Sequence, residues 1–105
     1  MPGLRELYQT AFDAFAKGKL EEAVSGYQAA LAQDPRFGLA YQGLAETYAR
    51  MGRLEDAIAA IKQAIEVDPS ESLFHTSLSR FLQRQGRIPE AEEAAAVAAR
   101  MNAHK

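Results

Sequence analysis

The sequence predicts an all-α fold, a solenoid of three helix–turn–helix repeats, and two observations carry the prediction. The first is a period. Gly18-Lys19-Leu20-Glu21-Glu22-Ala23 returns 34 residues later as Gly52-Arg53-Leu54-Glu55-Asp56-Ala57, and after the same interval as Gly86-Arg87-Ile88-Pro89-Glu90-Ala91. Gln33-Asp34-Pro35 and Val67-Asp68-Pro69 recur in the same register. The second is helical spacing of apolar residues within each copy, as in Leu44, Tyr48 and Met51. Self-similarity at such a period marks an array whose units bury their apolar faces only against neighbours.

Each copy reads as two helices, six in all. The first helices fall in 4–17, 38–51 and 72–85, and each runs into a Gly, the residue that most readily takes the left-handed conformation closing a helix. The second helices start at Leu20, Leu54 and Ile88, the last running over 88–101, with acids in their first turns, where the positive end of the helix dipole favours them. Pro89 falls in such a first turn, where a missing N–H costs little. Asp34-Pro35 and Asp68-Pro69 stop one helix and start the next. Asp68, Pro69 and Glu71 fit the N-cap, N1 and N3 positions of a capping box.

Small residues recur where helices must approach. Ala23, Ala57 and Ala91 share one repeat position, and Ala30, Ala64 and Ala98 another; a larger side chain there would overfill the space.

This pattern resembles the tetratricopeptide repeat (TPR) family. With repeats at 4–37, 38–71 and 72–105, the middle copy matches best, through Tyr41, Leu44, Ala45, Tyr48, Gly52, Ala57, Ile61, Ala64 and Pro69. The first keeps Leu7, Ala11, Gly18, Ala23, Tyr27, Ala30 and Pro35 but has Thr10 and Ala14 where larger apolar residues are usual. The third keeps Leu78, Leu82, Gly86, Ala91 and Ala98 but has His75 and Ala103 at an aromatic and a Pro position. The resemblance implies a right-handed superhelix; it is specific for the fold and says little about the partner.

The bulk numbers agree. The 105 residues suit one domain spanning 1–105. The absence of Cys excludes disulfides, thiolate metal sites and a Cys nucleophile. A net charge of −2 gives no support for nucleic-acid binding. No apolar run approaches the roughly 20 residues that span a bilayer, and the start of the chain lacks a signal peptide's pattern. The expectation is a cytoplasmic protein without membrane insertion.

Equivalent stripes test the ends of the array. On the first helices, Ala40, Leu44, Thr47 and Met51 correspond to Phe74, Leu78, Phe81 and Gln85, but to Glu6, Thr10, Asp13 and Lys17 in repeat one. The stripe is mainly apolar where a preceding repeat exists and polar where none does. On the second helices, Val24, Tyr27 and Leu31 correspond to Ile58, Ile61 and Ile65, and then to Glu92, Ala95 and Ala99. Both ends are therefore expected to be closed.

In the family, the first helices line a concave groove that takes a partner peptide. The resemblance places Arg5, Tyr8, Gln9, Phe12 and Phe15 in it from repeat one, Leu39, Gln42, Gly43, Glu46 and Arg50 from repeat two, and Leu73, Thr76, Ser77, Arg80 and Arg84 from repeat three. One end is aromatic and the other basic, since no acid lies between Ser72 and Pro89. The expected partner is a peptide or protein with an apolar anchor near Tyr8 and Phe12 and an acidic group near Arg80 and Arg84, whose planar forks suit carboxylates. The competing reading packs Phe12 and Phe15 into the core and leaves the arginines as a solvated face.

Family members that grip acidic chaperone C-termini use a carboxylate clamp of Lys, Asn, Asn, Lys and Arg. Those places here hold Tyr8, Phe12, Gly43, Leu73 and Ser77, so the resemblance does not extend to that subfamily. His75 is expected at a packing position and His104 in the tail, neither part of a metal site; no phosphate loop, dinucleotide fingerprint or nucleophile elbow is present. The function expected is an adaptor or scaffold, not an enzyme, with no cofactor. The alternative is a self-associating subunit using a small-residue face formed by Ala94, Ala95, Ala98 and Ala99, and the chain is expected as monomer or homodimer.

Overall fold

In the computed structural model, which describes residues 2–103, the chain folds into six helices, with no strand among the described residues. They are α1 (Leu4–Ala16), α2 (Leu20–Gln33), α3 (Gly38–Arg50), α4 (Leu54–Val67), α5 (Ser72–Arg84) and α6 (Ile88–Ala103). His104 lies outside the described residues. None of the helices is long and apolar enough to cross a membrane.

The turns inside each pair are copies of one another. Gly18, Gly52 and Gly86 have φ of 77°, 80° and 79°, a region in which a Cβ would be strained. The residue after each Gly donates back to the closing helix, Lys19 to Ala14, Arg53 to Tyr48 and Arg87 to Leu82, at 2.8–2.9 Å. Each Gly N–H donates as well, Gly18 to Phe15, Gly52 to Ala49 and Gly86 to Gln83, so two orphan carbonyls per helix end are satisfied, the Schellman arrangement.

The connections between pairs differ from the capping box expected. Asp68 ends α4, and its carboxylate accepts from Ser70 N and Ser70 Oγ at 3.2 and 2.7 Å. Its carbonyl accepts from Glu71 N, so residues 68–71 form a turn with Pro69 at its first corner. Helix α5 starts only at Ser72, capped by the Glu71 side chain, which accepts from Leu73 N at 3.2 Å. The Asp-Pro pair therefore builds the linker rather than the helix start. Asp34 makes the same turn, accepting from Arg36 N at 3.0 Å.

Packing follows the repeat. Each helix lies against its hairpin partner and then the next helix in the chain, while α1, α3 and α5 also touch in sequence. Ala23, Ala30, Ala57, Ala64, Ala91 and Ala98 are all buried. Ala40, Thr47, Phe74 and Phe81 are buried where they meet the preceding repeat, whereas Glu6, Thr10, Asp13 and Lys17 are exposed. On α6, Glu92, Ala95 and Ala99 are exposed in the same way.

The four-alanine face expected on α6 is split by the helix period. Ala94 and Ala98 turn inward with Ala91 and are buried, while only Ala95 and Ala99 face outward. Residues three and seven apart share a side of a helix, so Ala91, Ala94 and Ala98 form the stripe that packs on α5.

Candidate functional site

The row of α1, α3 and α5 creates a groove, and the character of its floor changes along it. At the α1 end, Tyr8, Phe12, Phe15, Tyr27, Gln42, Gly43, Glu46 and Arg50 line a depression of about 360 Å3. Phe15, Glu46, Ala49, Arg50, Arg80 and Arg84 line a second one of about 320 Å3, which shares Phe15, Glu46 and Arg50 with the first. The groove is therefore continuous from the aromatic to the basic end.

The aromatic end is ordered by ring contacts. Tyr8 sits among three rings, with centroid distances of 5.1 Å to Phe37, 5.8 Å to Tyr27 and 6.4 Å to Phe12; tilted contacts at these distances are favourable. Phe12 projects outward and is 48% exposed. Phe15 is half-buried against the core. The inward reading thus describes Phe15 and not Phe12. Leu39 and Leu73, at one repeat position on α3 and α5, are 46% and 45% exposed.

Tyr27 supplies the floor between α1 and α3. It is 1% exposed, and Gly43 makes room for it. A Cβ at Gly43 would lie 2.4 Å from Tyr27 Cζ and 2.7 Å from its hydroxyl oxygen, so any other residue there would displace the ring. Burial, with the neighbouring Tyr8 as a second cause, pushes the Tyr27 phenol up to about 12. Burial alone raises Tyr8.

The basic end is more internally engaged than composition suggests. Arg80 is paired with Glu46 through Nη2–Oε2 at 2.6 Å and Nη1–Oε1 at 3.3 Å. The buried Ser77 hydroxyl donates to the same carboxylate at 3.0 Å. Arg84 donates to the carbonyl of Ala49 at 3.1 Å. Arg50 donates to the carbonyl of Phe15 at 3.4 Å and lies 4.2 Å above the Phe15 ring. Glu46 compensates the charge of one arginine. Carbonyls and a ring face hold Arg50 and Arg84 in place without neutralising them.

The remaining groove positions are peripheral. Arg5 is exposed near the start of α1. Gln9 is turned onto Asp13 at 3.1 Å, and Thr76 onto the Ser72 carbonyl at 3.2 Å. Tyr27, on a second helix, is absent from the first-helix lining drawn from sequence. Its signal was available in the pairing of a large aromatic with Gly43 in the next repeat.

A further depression of about 450 Å3 opens on the other side of α5, with Lys62, His75, Leu78, Leu82 and Val97 among its lining. The equivalent positions in repeat two hold Tyr41 and Tyr48 where His75 and Leu82 stand. Leu44 is buried, whereas its counterpart Leu78 is only partly buried. His75 Nε2 rests 3.2 Å from the Pro69 carbonyl.

Comparison with known proteins adds the following. A family model for the tetratricopeptide repeat matches residues 14–80. No curated protein sequence matches. Among solved structures, the chain is similar to the Yersinia enterocolitica type III secretion chaperone SycD in complex with a peptide of the translocator YopD. The TM-score is 0.92 at 28% identity, covering 97% of this chain and 78% of that one. It is also similar to MamA, with a TM-score of 0.93 at 22% identity over 97% of this chain, which spans 60% of MamA. The second TPR of Spaghetti (RPAP3), bound to the HSP90 peptide SRMEEVD, gives a TM-score of 0.88 at 22% identity over 93% of this chain and 91% of that one. The last two likenesses show a shared fold.

Proposed function

This chain belongs to the tetratricopeptide repeat family, and from that premise we propose that it is a protein-interaction module, not an enzyme, whose groove holds an extended partner peptide. The observation that carries the reading is the continuous groove, with exposed Phe12 at one end and Arg84 at the other. SycD, similar in fold, is known in complex with a YopD peptide, which supports peptide capture here.

The groove chemistry specifies the kind of peptide. Phe12, Leu39 and Leu73 offer exposed apolar surface along α1, α3 and α5, which suits an apolar anchor. Arg50, Arg80 and Arg84 face a single carboxylate, Glu46, in the neighbouring depression. An acidic residue of the partner placed there gains charge-assisted hydrogen bonds. The clamp side chains of chaperone-tail binders are replaced by Tyr8, Phe12, Gly43, Leu73 and Ser77. The groove therefore favours an apolar residue followed by an acid over a run of acids alone.

The test is selection of a displayed random peptide library on the wild-type protein. Enriched peptides should carry an apolar residue with a nearby acid and bind Phe12→Ala and Arg84→Ala at least about tenfold more weakly, the loss of one good anchor contact. Peptides that bind both variants as well as wild type would refute the groove assignment.

Self-association remains a second reading, supported by Ala95 and Ala99, which face outward beside Glu92 on α6. An interface there would use a narrow small-residue strip.

A further inference from the structure

Polar groups inside a protein are normally paired, and one that is not points to a missing partner. Among the described residues, every fully covered polar side-chain atom has a hydrogen-bond partner. Tyr27 is 1% exposed, and its hydroxyl has no such partner among these residues. That oxygen must therefore keep a small opening. The space it opens to is the aromatic depression, which Tyr27 lines beside Gly43. The missing side chain of Gly43 creates the opening, because a Cβ there would sit 2.7 Å from the hydroxyl oxygen.

Two more side chains that line the same space carry polar groups. Tyr8 and Gln42 line the depression, and neither the Tyr8 hydroxyl nor the Gln42 amide makes a side-chain hydrogen bond among the described residues. The charged groups nearby are differently disposed: Glu46 is held by Arg80 and Ser77, and Arg50 lies on Phe15. What remains is a neutral set of two hydroxyls and a carboxamide, able both to donate and to accept, beside the apolar surface of Phe12. Arg50, the uncompensated cation lining the same depression, lies on the Phe15 ring and carbonyl and would take an acidic group of the partner. A neutral group with both a donor and an acceptor would satisfy the hydroxyls and the carboxamide.

We propose that Tyr27, Tyr8 and Gln42 form a subsite that reads a backbone amide of the bound peptide, with the Tyr27 hydroxyl donating to the peptide carbonyl and the adjoining apolar side chain lying on Phe12. The inference rests on the groove reading above and deepens it by assigning its main-chain contact. Burial that holds the Tyr27 phenol protonated keeps this donor in place across the neutral and mildly alkaline range.

The test uses Tyr27→Phe, which keeps the ring in its packed position and removes only the oxygen. The probe is the tightest peptide from the library selection, measured by titration calorimetry. Its affinity should fall about 5- to 10-fold, the scale of one neutral hydrogen bond. The thermal midpoint should stay the same or rise, because the hydroxyl has no partner among the described residues. The affinity loss should persist when each polar side chain of the peptide is changed in turn to alanine. A loss that vanishes with one such change would assign the hydroxyl to a side chain and overturn the backbone reading. A lowered midpoint in Tyr27→Phe would make the hydroxyl structural and overturn the subsite. Unchanged affinity in Tyr27→Phe with loss in Phe12→Ala would overturn the subsite while leaving the groove in place; unchanged affinity in both would remove the groove reading itself.

Discussion

Glu46 on α3 accepts both terminal nitrogens of Arg80 on α5, at 2.6 and 3.3 Å, so one groove residue neutralises the groove residue in the following repeat. The two occupy the same repeat position, which Phe12 occupies on α1. One register thus presents an aromatic ring, an acid and a base in succession along the groove.

Substituting Glu46→Gln keeps the shape of the carboxylate and removes its charge. Arg80 then joins Arg50 and Arg84 as an uncompensated cation. An acidic peptide should bind about three- to tenfold more tightly, an advantage that shrinks with added salt as exposed charges are screened. Stability should fall by no more than about 1 kcal/mol, because the pair is half-exposed. Calorimetry at two ionic strengths checks the first effect and urea denaturation the second. Weaker peptide binding in Glu46→Gln would show that the carboxylate itself contacts the partner.

Gly43→Ala sets two effects against each other. An Ala inside a helix is favoured over Gly by about 1 kcal/mol. The added Cβ, however, would meet Tyr27 at 2.4 Å, and overpacking of this kind costs typically about 1–3 kcal/mol. Net destabilisation is expected. In a Tyr27→Ala background the same change should become neutral or stabilising. Urea denaturation of the four proteins closes this cycle; equal effects in both backgrounds would mean that the ring is not the obstacle.

The Tyr27 phenol gives a pH dependence with a definite sign. Its folded value, about 12, lies above the ordinary 10.0, so the native state holds the proton more tightly than the unfolded chain. The stability linked to it is fully present below about pH 10 and is lost as pH rises from 10 toward 12. The difference in stability between wild type and Tyr27→Phe should vary with pH only in that window. Tyrosinate absorbance of the wild type should show a late component absent from the variant. A wild-type titration complete by pH 11 would contradict the burial of this hydroxyl.

One inward and one outward alanine of α6, Ala94 and Ala95, separate folding from self-association. Ala94→Arg places a charge in a buried position and should unfold or strongly destabilise the chain, by about 3 kcal/mol or more. Ala95→Arg, at an exposed position, should change stability by less than about 0.5 kcal/mol. Light scattering then reads the mass. A dimer that dissolves in Ala95→Arg would establish an α6 interface, and a mass unaffected by the substitution would remove it.

Much of the fold was legible because it is carried by single residues at a fixed interval. Gly18, Gly52 and Gly86 mark their turns without reference to anything distant, and the change from Ala40 and Phe74 to Glu6 distinguishes inner from outer faces. The inward turn of Ala94 and Ala98 was legible too, since they share the spacing of Ala91; grouping them with Ala95 and Ala99 ignored that angle. The site was less legible because its chemistry lies in pairs across repeats. Composition gives Arg80 a positive charge, but the partner that neutralises it is 34 residues away on another helix. Asp68 carried equal signals for a helix cap and for a turn, and the Pro after it suits both; only the start of α5 at Ser72 decides between them.

The measurement closest to the central claim is amide chemical-shift mapping of the labelled protein as the library-selected peptide is added. The account predicts that the largest changes fall on α1, α3 and α5, centred on Tyr8, Phe12, Gln42 and Glu46 and extending to Arg84. Changes centred instead on α6, or around Lys62, His75 and Val97 on the opposite side of α5, would place the partner outside the groove and contradict it.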